Sequence, residues 1–490
     1  MDDATRRKVS VRYLSYGMSC LKYLCLAGGL VLVLGILLLA LLNSLSRSAL
    51  LAAIGEAKAA GVHTQGWGES PGSPTEPLEA ALRLAQTDFI EGEEWRSLFR
   101  LLRLQKPGQT GEKPHGPRLG DQFPAETRQV LQKFGKSSQL LQGLLSKARS
   151  HKQWTIQLFN GSKFFPERDV SCVTELGEKL RYLAFWRSSQ NEPEEALHYL
   201  SDMLRLAECL DKAPTYTNHI IRCGLCRDAA TTAETLLAHH TRTDPQSLAR
   251  LQDKLGFTST RLKSTRVIER DLTELIVFAR NLPDSLFYLE HGTSIAPAMR
   301  KNVLRRLWWE QNLVFLARWR YAGEIRKGLS ALKKARQSFP DQYKWARSQY
   351  LESKQKRPEE VFGPDQDFSH KTEDEWRSIV RRTGRTLAEL RCAQTALAAE
   401  RFRQARGQWP EALSELVPAF LDTVPPDPFT GKPLRYLRAS GYVMVYSVGE
   451  NLSDDGGDSS EVQVQVKGMG ITLHPRDITF ALLDPAKRNQ

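Results

Sequence analysis

Twenty consecutive residues without a charge, from Tyr23 to Leu42, constrain this chain more than any other feature. At about 1.5 Å of rise per residue a helix of that length covers roughly 30 Å, the hydrocarbon thickness of a bilayer. The run is longer than the apolar region of a cleaved signal peptide, about 7 to 15 residues. No small-x-small cleavage site follows it, only AlaLeuLeuAsnSerLeuSerArg at 40–47. A retained transmembrane helix over 23–42 is therefore expected, with the lipid bilayer as its partner.

Charge orients that helix. Arg6, Arg7, Lys8, Arg12 and Lys22 precede the run, whereas only Arg47 and Lys58 follow it closely, with Glu56 between them. Basic residues collect on the cytoplasmic side. The expectation is a cytoplasmic tail at 1–22 and a bulk lying outside the inner membrane, in a bacterial periplasm.

The part beyond the run, about 450 residues, is long enough for two or three domains with a sizeable core. It holds five cysteines, Cys172, Cys209, Cys223, Cys226 and Cys392, an odd number that does not support a dense disulfide framework. Cys223 and Cys226 form a CxxC in a helical pattern, with no preceding strand and no second metal-ligand pair, so they read as structural thiols. The net charge of +13 is concentrated in 300–357, where sixteen Lys and Arg face four acids. Leu304, Leu307, Trp308, Val314 and Phe315 fall on one side of a helix there. This basic amphipathic stretch is expected either to pack as a helix with a solvated outer face or to meet an anionic surface. Nucleic acid is not an expected partner on that side of a membrane.

Along the chain, GWGESPGSPTEP and KPGQTGEKPHGPRLGDQFP (106–124) read as breaks rich in Gly and Pro. Between 125 and 280 apolar residues recur every three or four positions: Leu131, Phe134, Leu140, Leu141 and Leu144, then Leu197, Leu200, Met203, Leu204 and Ala207. No repeat recurs near the 34-residue tetratricopeptide period, so an irregular helical array is expected. Past 405 the texture changes to Pro, Gly and alternating apolar residues. Strands are expected at Leu434–Leu437, at Tyr442–Val448 and around Val462, Val464 and Val466, forming a small antiparallel sheet on the helix Arg385–Arg406.

The tail carries a resemblance. ArgPheArgGlnAlaArgGlyGlnTrpPro (401–410), LeuSerGluLeuValPro (413–418), AspProPheThrGlyLysProLeuArgTyr (427–436) and TyrSerValGly (446–449), followed by an acidic Gly-rich loop, resemble the C-terminal part of type II secretion major pseudopilins. The likeness covers about the last fifth of the chain, and the whole chain also resembles bacterial single-pass membrane proteins with a helical middle and such a tail. In pseudopilins the acidic loop holds calcium, which implies Asp454, Asp455 and Asp458 as metal ligands here, with Asn451 where the family tends to have an acid. No prepilin peptidase signal opens the apolar helix, which SerCysLeuLysTyr precedes, so it reads as a permanent tether.

The expected fold is thus mainly α: an N-terminal transmembrane helix, an irregular helical array and a small C-terminal α+β pilin-like antiparallel sheet. The expected divisions are 1–22, 23–42, 43–124, 125–380 and 381–490. The chain contains no GxxxxGK[ST] and no HExxH. Ser70 sits in a GxSxG whose next residue, Pro71, has no N–H for an oxyanion hole; Ser330 and Lys333 form an SxxK without further partners. His239 and His240 stand at an expected helix end, where positive charge and carbonyl capping account for them. A non-enzymatic scaffold or interaction protein of the cell envelope or a secretion-related assembly, with envelope proteins as partners, is the expected function. An envelope hydrolase or transferase with an unrecognised site is the alternative.

Overall fold

The computed structural model describes residues 3–64, 73–87, 89, 122–157, 170–280, 314–353, 368–466 and 469–488. The helices among them are α1 (Asp3–Ala59), α2 (Glu76–Ala85), α3 (Ala125–Ser137), α4 (Gln139–Arg149), α5 (Ser171–Ser189) and α6 (Pro193–Leu210). They continue with α7 (Tyr216–His239), α8 (Pro245–Arg261), α9 (Thr265–Arg280), α10 (Val314–Ala335), α11 (Phe339–Ser353) and α12 (Phe368–Arg406). The strands are β1 (Arg435–Ala439), β2 (Tyr442–Ser447), β3 (Glu461–Val466), β4 (Met469–Pro475) and β5 (Ile478–Leu483). The chain divides into two compact units, Met1–Trp67 with Asp271–Ser330, and Gly68–Arg270 with Ala331–Gln490.

In the first unit the expected anchor and the segment after it form one uninterrupted rod, α1. It is long and apolar enough to cross a membrane. Its large apolar side chains from Leu30 to Leu41, Leu39 excepted, are 51% to 70% exposed. Bare apolar surface costs about 25 cal/mol per Å² in water, so a stripe of this size calls for a non-aqueous neighbour. Past Leu42 the character changes: Ser46, Leu50, Ala53, Ile54 and Ala57 are buried at helical spacing. Cross-links from the later segments hold this half. Arg318 of α10 donates to Asn43, Arg326 pairs with Glu56 at 3.1 Å, and Arg280 donates to the Thr64 carbonyl.

The second unit is the helical array and the sheet. α6 begins with Pro193 in its first turn, followed by Glu194 and Glu195, as acids near a helix N-terminus favour. Leu197, Leu200, Met203, Leu204 and Ala207 are all buried, so that period marks a core face. Leu140 departs from the expectation: it is 67% exposed while its neighbour Leu141 is fully buried. Successive helical residues point about 100° apart, and only Leu141 faces inward. Thr215 and Asp244 cap α7 and α8, accepting from the amides of Asn218 and Ser247 at 3.2 and 2.8 Å.

α12 starts at Phe368, well before the expected Arg385, and packs on α7, α8, β2 and β5. Its inner face is lined by Ala388, Ala393, Ala396 and Ala399, all fully buried; small residues let neighbouring backbones approach closely. The sheet has the order β1-β2-β5, antiparallel throughout, with Arg435 opposite Tyr446 and Tyr442 opposite Leu483. Two of its strands match the expected segments. The third is β5, and the alternating valines instead pair with β4 in a separate two-stranded ribbon. The side chains of β5 are buried along its whole length, which erases the alternation by which a strand is recognised. At its outer edge the Ala481 amide donates to the buried Glu234 carboxylate of α7 at 2.7 Å, satisfying an edge group that would otherwise invite a foreign strand.

One continuous core joins Leu131 and Leu176 in the array, Leu397 in α12, and Val443 and Phe480 in the sheet. The expected boundary between 380 and 381 lies inside α12, and residues on both sides of it are buried, Val380 and Leu387 among them.

Candidate functional site

The residues that carry the tail resemblance converge on one corner. The indole N–H of Trp409 donates to Asp484 at 2.6 Å, and the Tyr436 hydroxyl donates to the Pro410 carbonyl at 2.9 Å. Asp427, 1% exposed, accepts from the amide of Phe429 at 2.8 Å and from that of Val448 at 3.0 Å. The AspProPheThrGlyLys motif is therefore a stitch: its carboxylate closes its own turn and pins the end of β2. A carboxylate taking two backbone amides is well satisfied without a ligand.

Beyond β2 the chain enters the acidic loop. Gly449 has φ +66°, and a Cβ there would lie 2.4 Å from the Arg476 carbonyl oxygen. Gly449→Ala is expected to cost about 1–3 kcal/mol, combining a left-handed backbone with a clash against main chain. Gly456, at φ +69° but facing open space, is the control. Thermal melting should drop more for Gly449→Ala than for Gly456→Ala, and equal drops would mean the close approach is not a constraint.

Each of the three implied calcium ligands has partners of its own, and two of them share Arg476. Asp454 accepts from the Tyr446 hydroxyl at 3.1 Å and pairs with Arg435 at 3.0 Å. Asp455 accepts from the Asn451 side-chain amide at 2.6 Å and lies 3.9 Å from Arg476. Asp458 accepts from the Ser460 amide and hydroxyl at 2.9 and 2.8 Å, with Arg476 at 3.7 Å. Among the described residues no three acids, histidines or cysteines are gathered as a metal group. As they stand, these carboxylates would have to turn from their partners to close on an ion.

Sequence reasoning missed the fourth member of the cluster. Asp477, fully buried, accepts from the Gly457 amide at 2.7 Å and sits between the loop and β5. Burial pushes its carboxyl up to about 6; the backbone donors oppose this, and the charges of Asp455 and Asp454 add to it. Only its separation from the loop in sequence concealed it. Beside the loop, Lys432, Leu434, Arg435, Tyr436, Tyr446 and Asp454 line a shallow depression of about 450 Å³.

The other sequence candidates resolve as packing. Cys223 and Cys226 are separate, buried free thiols on α7. Burial pushes Cys223 up to about 11 and Cys226 higher still, so neither is poised as a thiolate. Ser330 and Lys333 are exposed on α10, and Ser70 lies outside the described residues. His239 and His240 do end α7, but His240 is not a cationic cap. Burial, with Arg488 nearby, lowers it, and its ring nitrogen meets the Ser188 hydroxyl at 2.8 Å. Leu304, Leu307 and Trp308 of the basic stretch lie outside the described residues; Phe315 is half-buried on α10.

These features describe a mainly helical chain with, among the described residues, one helix suited to a membrane, and with a small antiparallel sheet closing its C-terminal corner. Compared with family models, curated proteins and solved structures, the chain matches none.

Proposed function

We propose that this is a membrane-tethered scaffold of the bacterial cell envelope, its N-terminus cytoplasmic and its bulk periplasmic, holding partner proteins of an envelope or secretion-related assembly. The observation that carries the proposal is the bare apolar length of α1, continuous with a folded body. The pilin-like reading of the tail is supported by a long helix, α12, whose end turns through Trp409 and Pro410 onto the sheet. Alkaline phosphatase fused after Gln490 is expected to be active in a bacterial host, since it folds only outside the cytoplasm. Cross-linking in native membranes is expected to capture envelope proteins. Monomer alone, at every cross-linker length, would overturn the scaffold role.

Calcium belongs to the same proposal as an ion that closes the acidic loop. Its support is the surplus of negative charge: Asp454, Asp455 and Asp458 share Arg435 and Arg476, and the charges of Asp455 and Asp454 also act on the buried Asp477. A ligand that binds only the folded state stabilises it by mass action. The full chain in detergent is expected to melt several degrees lower in chelator than in millimolar calcium, and Asp458→Asn should abolish the difference. Identical melting curves remove calcium and leave the tether untouched.

A further inference from the structure

In the first unit α10 begins where the apolar part of α1 ends. Arg318, in the second turn of α10, donates to Asn43, the residue immediately after Leu42, and Arg326 reaches Glu56 farther along. Both contacts advance in the same direction along the two helices, so they run broadly parallel and the first turns of α10 stand level with the end of the apolar run. Those turns are amphipathic in an unusual sense. Leu316 is 52% and Trp319 38% exposed, Phe315 sets its ring edge-on to Trp319 at 6.0 Å, and Arg320 is exposed beside them. On α1, Leu41 and Leu45 are exposed at the same level, with Arg47 exposed one turn after Asn43.

We infer that the first turns of α10 lie in the headgroup region of the bilayer that α1 crosses, Trp319 and Leu316 entering its apolar edge and Arg47, Arg318 and Arg320 meeting anionic phosphates. This rests on reading α1 as membrane-spanning. Tryptophan favours that depth because its ring is apolar with one polar N–H, and arginine stems lie along apolar surface while their heads reach phosphate. The like charges of Arg47 and Arg318 sit close enough that, after burial, Arg47 is the cause lowering the Arg318 guanidinium. Two cations drawn together beside an apolar patch are complementary to an anionic headgroup, and each basic residue near such a surface favours it about fivefold. Leu316 and Trp319 are thus exposed at the level of Leu41 and Leu45, where the apolar run of α1 ends.

The test uses the full chain with Cys20 and Cys25 changed to alanine, reconstituted in phosphatidylcholine vesicles with or without phosphatidylglycerol. Spin labels are placed singly through Leu34→Cys, Leu316→Cys and Leu140→Cys, and their collisions with oxygen and with a water-soluble nickel chelate are measured. Labels at 34 and 316 are expected to meet nickel several-fold less often than the label at 140, and oxygen more often. With phosphatidylglycerol, Arg47→Gln with Arg320→Gln is expected to raise nickel access at 316 several-fold, leaving the Arg318 contact with Asn43 in place. A label at 316 as open to nickel as the one at 140, with 34 still in lipid, overturns this inference and spares the tether. Shielding from both reagents at 316 overturns it too, because protein then covers the patch. Nickel access at 34 removes the membrane-spanning reading and this inference with it.

Discussion

Arg488→Ala is expected to cost about 3–5 kcal/mol, the usual penalty for stranding one partner of a buried ion pair. The Arg488 side chain is 1% exposed and its guanidinium makes four hydrogen bonds. It donates to Glu400 at 2.8 and 3.1 Å, to the Leu483 carbonyl at 2.8 Å and to the His240 carbonyl at 2.9 Å. One side chain thus ties the residues after β5 to α12 and to the end of α7. Burial pushes the Glu400 carboxyl up, but hydrogen bonds from Arg403 and Arg488 outweigh it and leave it below the ordinary range. Without Arg488 the carboxylate keeps Arg403 and Gln404 and loses its other charge partner. Urea unfolding of the detergent-solubilised chain checks this against Arg435→Ala, which removes a half-exposed pair worth at most about 1 kcal/mol. Arg488→Met with Glu400→Leu should recover only part of the loss, because Arg403, its side chain 13% exposed, then loses its carboxylate partner. Equal, small effects for the two single variants would show that Arg488 is no clamp.

The second large effect is acid sensitivity through His219. Its Nε2 lies 2.8 Å from the Thr383 hydroxyl, which donates its own hydrogen to the Ile379 carbonyl at 2.8 Å. Nε2 must then carry the hydrogen, so the ring is a neutral donor joining α7 to α12. Burial first, then the charges of Arg222 and Arg382, push its pKa down to about 3 from 6.5. A folded pKa below the unfolded one gives stability that is complete above pH 6.5 and drains away as pH falls toward 3. Linkage puts the loss at about 3 kcal/mol by pH 4. His219→Gln keeps an N–H for Thr383 and cannot titrate, so its stability curve should be flatter over pH 4–6.5 by about that amount. Parallel curves for the two proteins would sink the assignment.

Much of the fold is legible locally, and its failures have physical causes. The apolar period at 197–207 and the acids at Glu194 and Glu195 identify α6 because a helix face repeats within a few residues. Leu140 deceives because hydrophobicity alone does not say which side of α4 turns inward. β5 hides because burial on both faces looks the same as a buried helical segment. The valines of β3 alternate correctly, yet alternation does not name a partner, and they pair with β4 outside the main sheet. The loop aspartates can be read from their Asp-Gly setting; Asp477, which shares their field, cannot, since it arrives from beyond two further strands.

The sequence by itself determines a helix long and apolar enough to cross a membrane and the helical class, because each depends on residues within one or two turns of one another. Tertiary structure decides which charges are clamps. Glu400 and Arg488 stand 88 residues apart, and Glu234 and Ala481 stand 247 apart. Nothing in the local pattern of an acid or an arginine distinguishes a solvated surface group from a buried partner. That difference exists only once folding has removed water from around both groups, and the same exclusion of water makes their separation costly.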